Sequence, residues 1–211
     1  MSSALDAQDI LDFDIELPTG WFSMPFAESP DAAGWPRSLA ASFSLDTAAT
    51  DGIARLLKAI QGIVAEEDPA DATDTRVYIP LPQTGIVNGF MTCRLLWLDS
   101  DDSPESYLAE VDAHADDRSP GYEIRGYQSW RAPHQQGELV GFTHLTALAD
   151  SAEEDPEAIL EQRVAFGIFP VGAAQMVQLV FRSAFVGGFD DMVTEAQAIA
   201  DTLRVSLGAA A

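Results

Sequence analysis

The stretch from Ala174 to Val205, AQMVQLVFRSAFVGGFDDMVTEAQAIADTLRV, constrains the fold of this chain more than any other. Val177, Leu179, Phe181 and Ser183 recur at every second position, the period of a strand with one buried face. Gly187-Gly188 frees the backbone for a sharp turn. Asp190 can cap a helix in which Phe189, Met192, Val193, Ala196, Ile199, Ala200 and Leu203 form one apolar stripe. Such a stripe needs a surface to cover. The segment therefore predicts a terminal helix lying on a sheet, with Glu195, Gln197 and Asp201 toward water.

The rest of the chain supplies that sheet. Residues 1–9 are small and polar and read as a flexible terminus. Phe13, Ile15 and Leu17 alternate with acids as a half-buried strand, which Pro18 and Gly20 end. Trp35-Pro36 reads as a loop, and Leu39 to Leu45 as a second strand. Ile53, Leu56, Leu57, Ile60 and Val64 recur at helical spacing. Val77, Ile79 and Leu81 alternate again, and Ile86 to Leu98 is a long strand. Pro104 can open a short helix through His114. Gly121 to Ala132 and Leu139 to Ala149 flank a hairpin loop, His134 to Glu138. Residues 151–162 read as an acidic loop leading into a short helix. Val164–Phe169 and Gln175–Phe185 form a further hairpin around Pro170-Val171-Gly172. The acidic loops near 66–74, 99–106 and 150–157 are too short to be domain linkers. The expectation is a single α+β domain over residues 10–207: a central antiparallel sheet with helices packed on it in two or three layers.

Composition narrows the function classes. Thirty-four acids face eleven bases, a net charge of −23, and the only lysine is Lys58. A basic face for nucleic acid or an anionic membrane is not to be expected from such a chain. The surplus suits a surface made to meet a basic partner. It equally suits a compositional bias of a GC-rich genome or a salty cytoplasm, the simpler account. No window is apolar enough for a membrane helix. Met1 to Asp6 carries no basic side chain and does not read as a secretory or transit signal, so the expected location is cytoplasmic. Cys93 is the only cysteine. It excludes an internal disulfide and a thiolate zinc site, and its apolar surroundings predict an inert core thiol.

Catalytic motifs are missing from the sequence. There is no G-x-S-x-G elbow, P-loop or G-x-G-x-x-G turn. His114, His134 and His144 form neither an HExxH nor an HxH pair. His134 reads as a solvent-exposed loop residue and His144 as structural, unless the fold sets acids beside it. Asp99 to Glu105 with Glu110 loosely imitates a calcium loop, but Pro104 stands where an EF-hand needs glycine. No catalytic residue, cofactor or metal is expected. One cluster has interface chemistry: Tyr122, Arg125, Tyr127, Trp130 and Arg131 combine the residue types that dominate hot spots. Simple alternation puts Tyr122, Ile124 and Trp130 on one side of the strand and Arg125, Tyr127 and Arg131 on the other.

The opening F-D-I-E-L-P-T-G-W (Phe13 to Trp21) resembles the first strand and P-x-G-W turn of the Mog1/PsbP-like superfamily. The closing hairpin and helix, ending A-I-A-D-T-L-R (Ala198 to Arg204), resembles the end of the same fold. The resemblance implies a central antiparallel sheet with helices on it and a mostly non-catalytic, partner-binding role. Some members bind a small GTPase, some stabilise photosynthetic complexes, and some act as chaperones for secreted toxins. Many bacterial members are lipoproteins; this sequence shows no lipobox cysteine.

The sequence thus points to a non-catalytic cytoplasmic protein-binding or adaptor module, whose partner is another protein or a second copy of itself. A secretion or toxin chaperone is one alternative. A small-molecule-binding protein or enzyme is the other, and it requires a sheet–helix cleft with converging polar groups such as His144.

Overall fold

In the computed structural model the described residues are 7–26, 28–66, 72–115, 122–148, 160–184 and 187–208. Contacts divide the chain into two compact units, one of residues 17–94 and one of residues 1–16 with 95–211. Both mix helices with antiparallel strands, the expected α+β class.

The first strand, β1 (Ile10–Asp14), lies in the second of these units. The strands of the first unit are β2 (Trp21–Ser23), β3 (Ala72–Tyr78) and β4 (Gly89–Trp97), the last as far as Arg94. They pair as an antiparallel meander, Trp21 opposite Tyr78 and Val77 opposite Phe90. Two helices accompany them, α1 (Trp35–Ser42) and α2 (Thr47–Glu66). The stripe Ile53, Leu57, Ile60 and Val64 packs with Val77, Ile79 and Phe90. Leu56, placed in that stripe by spacing, is 45% exposed.

The strand expected over Leu39–Leu45 is instead the end of α1. Pro36 sits in its first turn, where a missing N–H costs nothing. Pro36, Leu39, Ala40 and Phe43 then keep the helical step of three and four, which outweighs the short alternation. Cys93 is buried in this unit, and burial pushes its thiol up to about 12.

Besides β1, the second unit holds α3 (Pro104–His114), β5 (Tyr122–His134), β6 (Gly137–Leu148), β7 (Leu160–Pro170), β8 (Gln175–Ser183), α4 (Met192–Ala200) and β9 (Arg204–Leu207). Strands β5, β6, β7 and β8 form a continuous antiparallel ladder. Leu160–Gln162 belong to β7 and not to a short helix. Residues 151–159 lie outside the described set. The first strand pairs antiparallel with the last, Phe13 opposite Val205. The chain therefore closes on a strand: α4 ends at Ala200, and Thr202 turns the backbone by donating its hydroxyl to Ile199 O at 2.7 Å. The cap of α4 is Asp191, one residue beyond the expected Asp190; its carboxylate accepts from Thr194 N at 3.1 Å.

Side-chain parity gives the β5–β8 ladder two faces. Phe166 meets Trp130 edge to face at a centroid spacing of 6.0 Å and Phe181 at 6.1 Å, and Trp130 Nε1 donates to Gln197 of α4. That face carries α4. The opposite face presents Val140, Phe169 and Met176 to Tyr107 and Leu108 of α3. The turn between β5 and β6 reaches the end of α4. Gln135 Nε2 donates to Asp201 O and Leu203 O, and the His134 ring contacts Ala200 O at 3.1 Å. His134, expected in solvent, is half-buried as part of this C-terminal cap.

The α4 face tolerates no extra volume at Gly141, where a Cβ would enter the Trp130 ring. Gly141→Ala should lower stability by about 1–3 kcal/mol, the usual cost of overpacking. Urea unfolding followed by Trp fluorescence measures it; an unchanged midpoint would mean Trp130 does not sit there.

Candidate functional site

Helix α3 is short and well started. Ser103 and Ser106 form a reciprocal capping box, and Pro104 occupies the first turn. None of its residues is fully buried. It is held to the sheet at a few points. The Tyr107 ring lies over Gly167, where a Cβ would stand 2.6 Å from it. The Tyr107 hydroxyl accepts from Gln178 Nε2 at 3.1 Å, and the ring meets Phe169 edge to face. Farther along, the Asp112 carboxylate accepts from Tyr127 Oη at 2.9 Å and Ser129 Oγ at 2.7 Å.

Between these attachments the helix stands off the sheet over a cleft of about 300 Å³. Tyr107, Glu110, Val111, His114 and Ala115 line it from above, the three- and four-residue steps of one helix face. Ile124 and Tyr127 of β5, Phe142 and His144 of β6, Arg163 of β7 and Gln178 of β8 line it from below.

The presence of both Ile124 and Tyr127 corrects the expected alternation. The register slips between Arg125 and Gln128, and Gly126 takes a left-handed φ of 60°. One extra residue in β5 makes a bulge, and a bulge reverses the parity of the residues beyond it.

His144 lies at the heart of the site. It is only 6% exposed, and neither ring nitrogen has a hydrogen-bond partner among the described residues. Phe142 stacks beside it at 6.1 Å and 12°, and Tyr127 stacks on Phe142 at 6.4 Å. Burial, reinforced by the positive charge of Arg163 and opposed by Glu161, lowers the imidazole pKa to about 4. The ring is therefore neutral at pH 7, with one donor and one acceptor. A buried polar group left unsatisfied costs about 1–3 kcal/mol, so its place beside a cavity is informative.

Arg163 sits opposite His144 in the ladder. Glu161 grips Arg182 with both oxygens at 3.0 Å and holds Arg163 more loosely, at 3.5 Å. Tyr127 is pushed up to about 12 by burial and by its bond to Asp112, so it remains a neutral donor.

The five residues of the expected interface cluster are divided between surroundings. Tyr127 and Arg131 face α3, Arg131 pairing with Glu105 at 2.7 Å and with Glu138. Trp130 faces α4. Arg125 is exposed and pairs with Glu123 at 2.7 Å. Tyr122 stands opposite Leu148 at the start of β5; its side chain is outside the described set. Sequence reasoning finds Tyr127 but passes over Arg163, Gln178 and Glu110, and it reads His144 as structural, with a cleft role only in the small-molecule alternative. The signal that could have found the site is parity: Val140, Phe142 and His144 alternate on one face, and a histidine ending an apolar row needs a partner.

Among the described residues, no group of three or more His, Cys, Asp or Glu could hold a metal ion. No described helix is long and apolar enough to cross a membrane. No family model matches this sequence, and no curated protein matches it. The crystal structure of LpqN, involved in cell envelope biogenesis of Mycobacterium tuberculosis, is similar to it with a TM-score of 0.48 and 14% identity. That likeness covers 92% of this chain and 83% of LpqN. At such a score and identity it decides nothing about activity.

The histidine makes a testable pH signature. The unfolded chain binds a proton near pH 6.5, and the folded one resists it until about 4. Stability contributed by the neutral ring should be present above pH 6.5 and fall as the pH drops toward 4. His144→Phe should flatten that decline in denaturant titrations at a series of pH values. An identical pH profile in the variant would place His144 in water.

Proposed function

We propose that this chain is a non-catalytic binding protein and that the cleft under α3 is where it takes a small ligand. One observation carries the reading: a histidine more than nine-tenths buried, unpartnered among the described residues, lines a cavity with aromatic walls. Ligand sites are concave, mostly apolar and carry few polar groups, which fix orientation. At a pKa of about 4 His144 is a poor general base at neutral pH, which favours binding over proton transfer.

A second reading is a protein-docking surface on β5, favoured by the exposed Arg125 on the strand that ends the ladder. The bulge at Gly126, Pro133 and the charges of Glu123 and Arg131 are devices that blunt a strand edge against pairing. The cleft is therefore the stronger candidate. Arg125→Ala with Arg131→Ala should leave a co-purifying partner in place if the cleft reading is right, and remove it if β5 docks.

Phenol and indole titrated into isotope-labelled protein should shift Val111, Ile124, Phe142 and His144 resonances together. Val111→Trp, which fills the cleft from the helix side, should abolish those shifts while the spectrum stays folded. Shifts scattered over the surface and indifferent to Val111→Trp would contradict the reading.

A further inference from the structure

We propose that the ligand is a compact aromatic monocarboxylate, its ring against Phe142 and Tyr127 and its carboxylate held by Arg163. The inference rests on the cleft being the binding site and names the chemistry that would fill it. A volume of about 300 Å³ is at the small end for ligand pockets and suits one ring system with a short arm. Three rings line the floor in near-parallel array, Tyr127, Phe142 and His144. They offer faces and edges to a flat apolar body.

The acid group is inferred from the charges. Arg163 is a fixed cation in the lining, its side chain 27% exposed, and guanidinium matches a carboxylate with paired donors. In a chain of net charge −23, most of the surface repels an anion. A cation inside the cleft therefore decides where an acid group goes and which end of the ligand enters.

The test is calorimetric titration of the full chain with indole-3-acetate and with indole-3-ethanol, which has the same ring and no charge. The acid should bind at least tenfold tighter, with the His144 ring signals shifting. Arg163→Gln should erase the preference for the acid. If that variant does not fold, the acid–alcohol comparison on the unaltered chain decides. Equal affinity for the two compounds with His144 shifting would overturn the carboxylate and leave the cleft standing. No binding of either compound would also overturn it, and the phenol and indole shifts at Val111 and Ile124 then judge the cleft separately.

Discussion

The Tyr107 ring resting on Gly167 is the contact on which the site depends. Helix α3 brings no fully buried residue to the sheet, so no broad apolar seam holds it. Its position comes from one aromatic ring that needs bare backbone beneath it, from the Gln178 bond to its hydroxyl and from Phe169 at its edge. Any side chain at 167 would displace the Tyr107 ring. Leu96, Leu98, Leu108 and Met176 close the apolar cluster around this end. Toward its C-terminus the helix is tethered by the Asp112 hydrogen bonds, and there the cleft opens.

That geometry sets the electrostatics. His144 is buried, and its nitrogens have no hydrogen-bond partner among the described residues. Burial and the nearby guanidinium keep the ring neutral. A neutral imidazole retains a donor and an acceptor for whatever enters, whereas imidazolium would offer two donors and a charge to a site that already has Arg163. The acidic surplus of the chain lies elsewhere. The cleft is lined by one arginine, one glutamate, two histidines and three aromatic rings.

Much of the fold is legible in the sequence because its elements have one clear period each. The alternation through Val177, Leu179 and Phe181 and the stripe from Met192 to Ala200 both match the structure. Short segments with two competing periods are not legible: Leu39 to Leu45 reads as a strand and folds as the end of α1. The closing strand is hidden because Leu203 continues the helical stripe in register, while its backbone has already turned. The site is less legible still. A bulge at Gly126 reverses the parity of β5, and no spacing rule announces it, so simple alternation puts Ile124 and Tyr127 on opposite faces. Arg163 and His144 are nineteen positions apart and meet only through strand pairing. What the sequence does carry is the row Val140, Phe142 and His144, which places the histidine on an apolar face without saying what stands over it.

The nuclear Overhauser effect between Gly167 Hα and the Tyr107 ring protons is the most direct measurement of the docked helix. Docking predicts strong cross-peaks, with Gly167 Hα shifted upfield by the ring current. Absent cross-peaks, with Gly167 and Tyr107 at ordinary shifts in an otherwise folded spectrum, would contradict it: α3 would not rest on the sheet, and there would be no cleft.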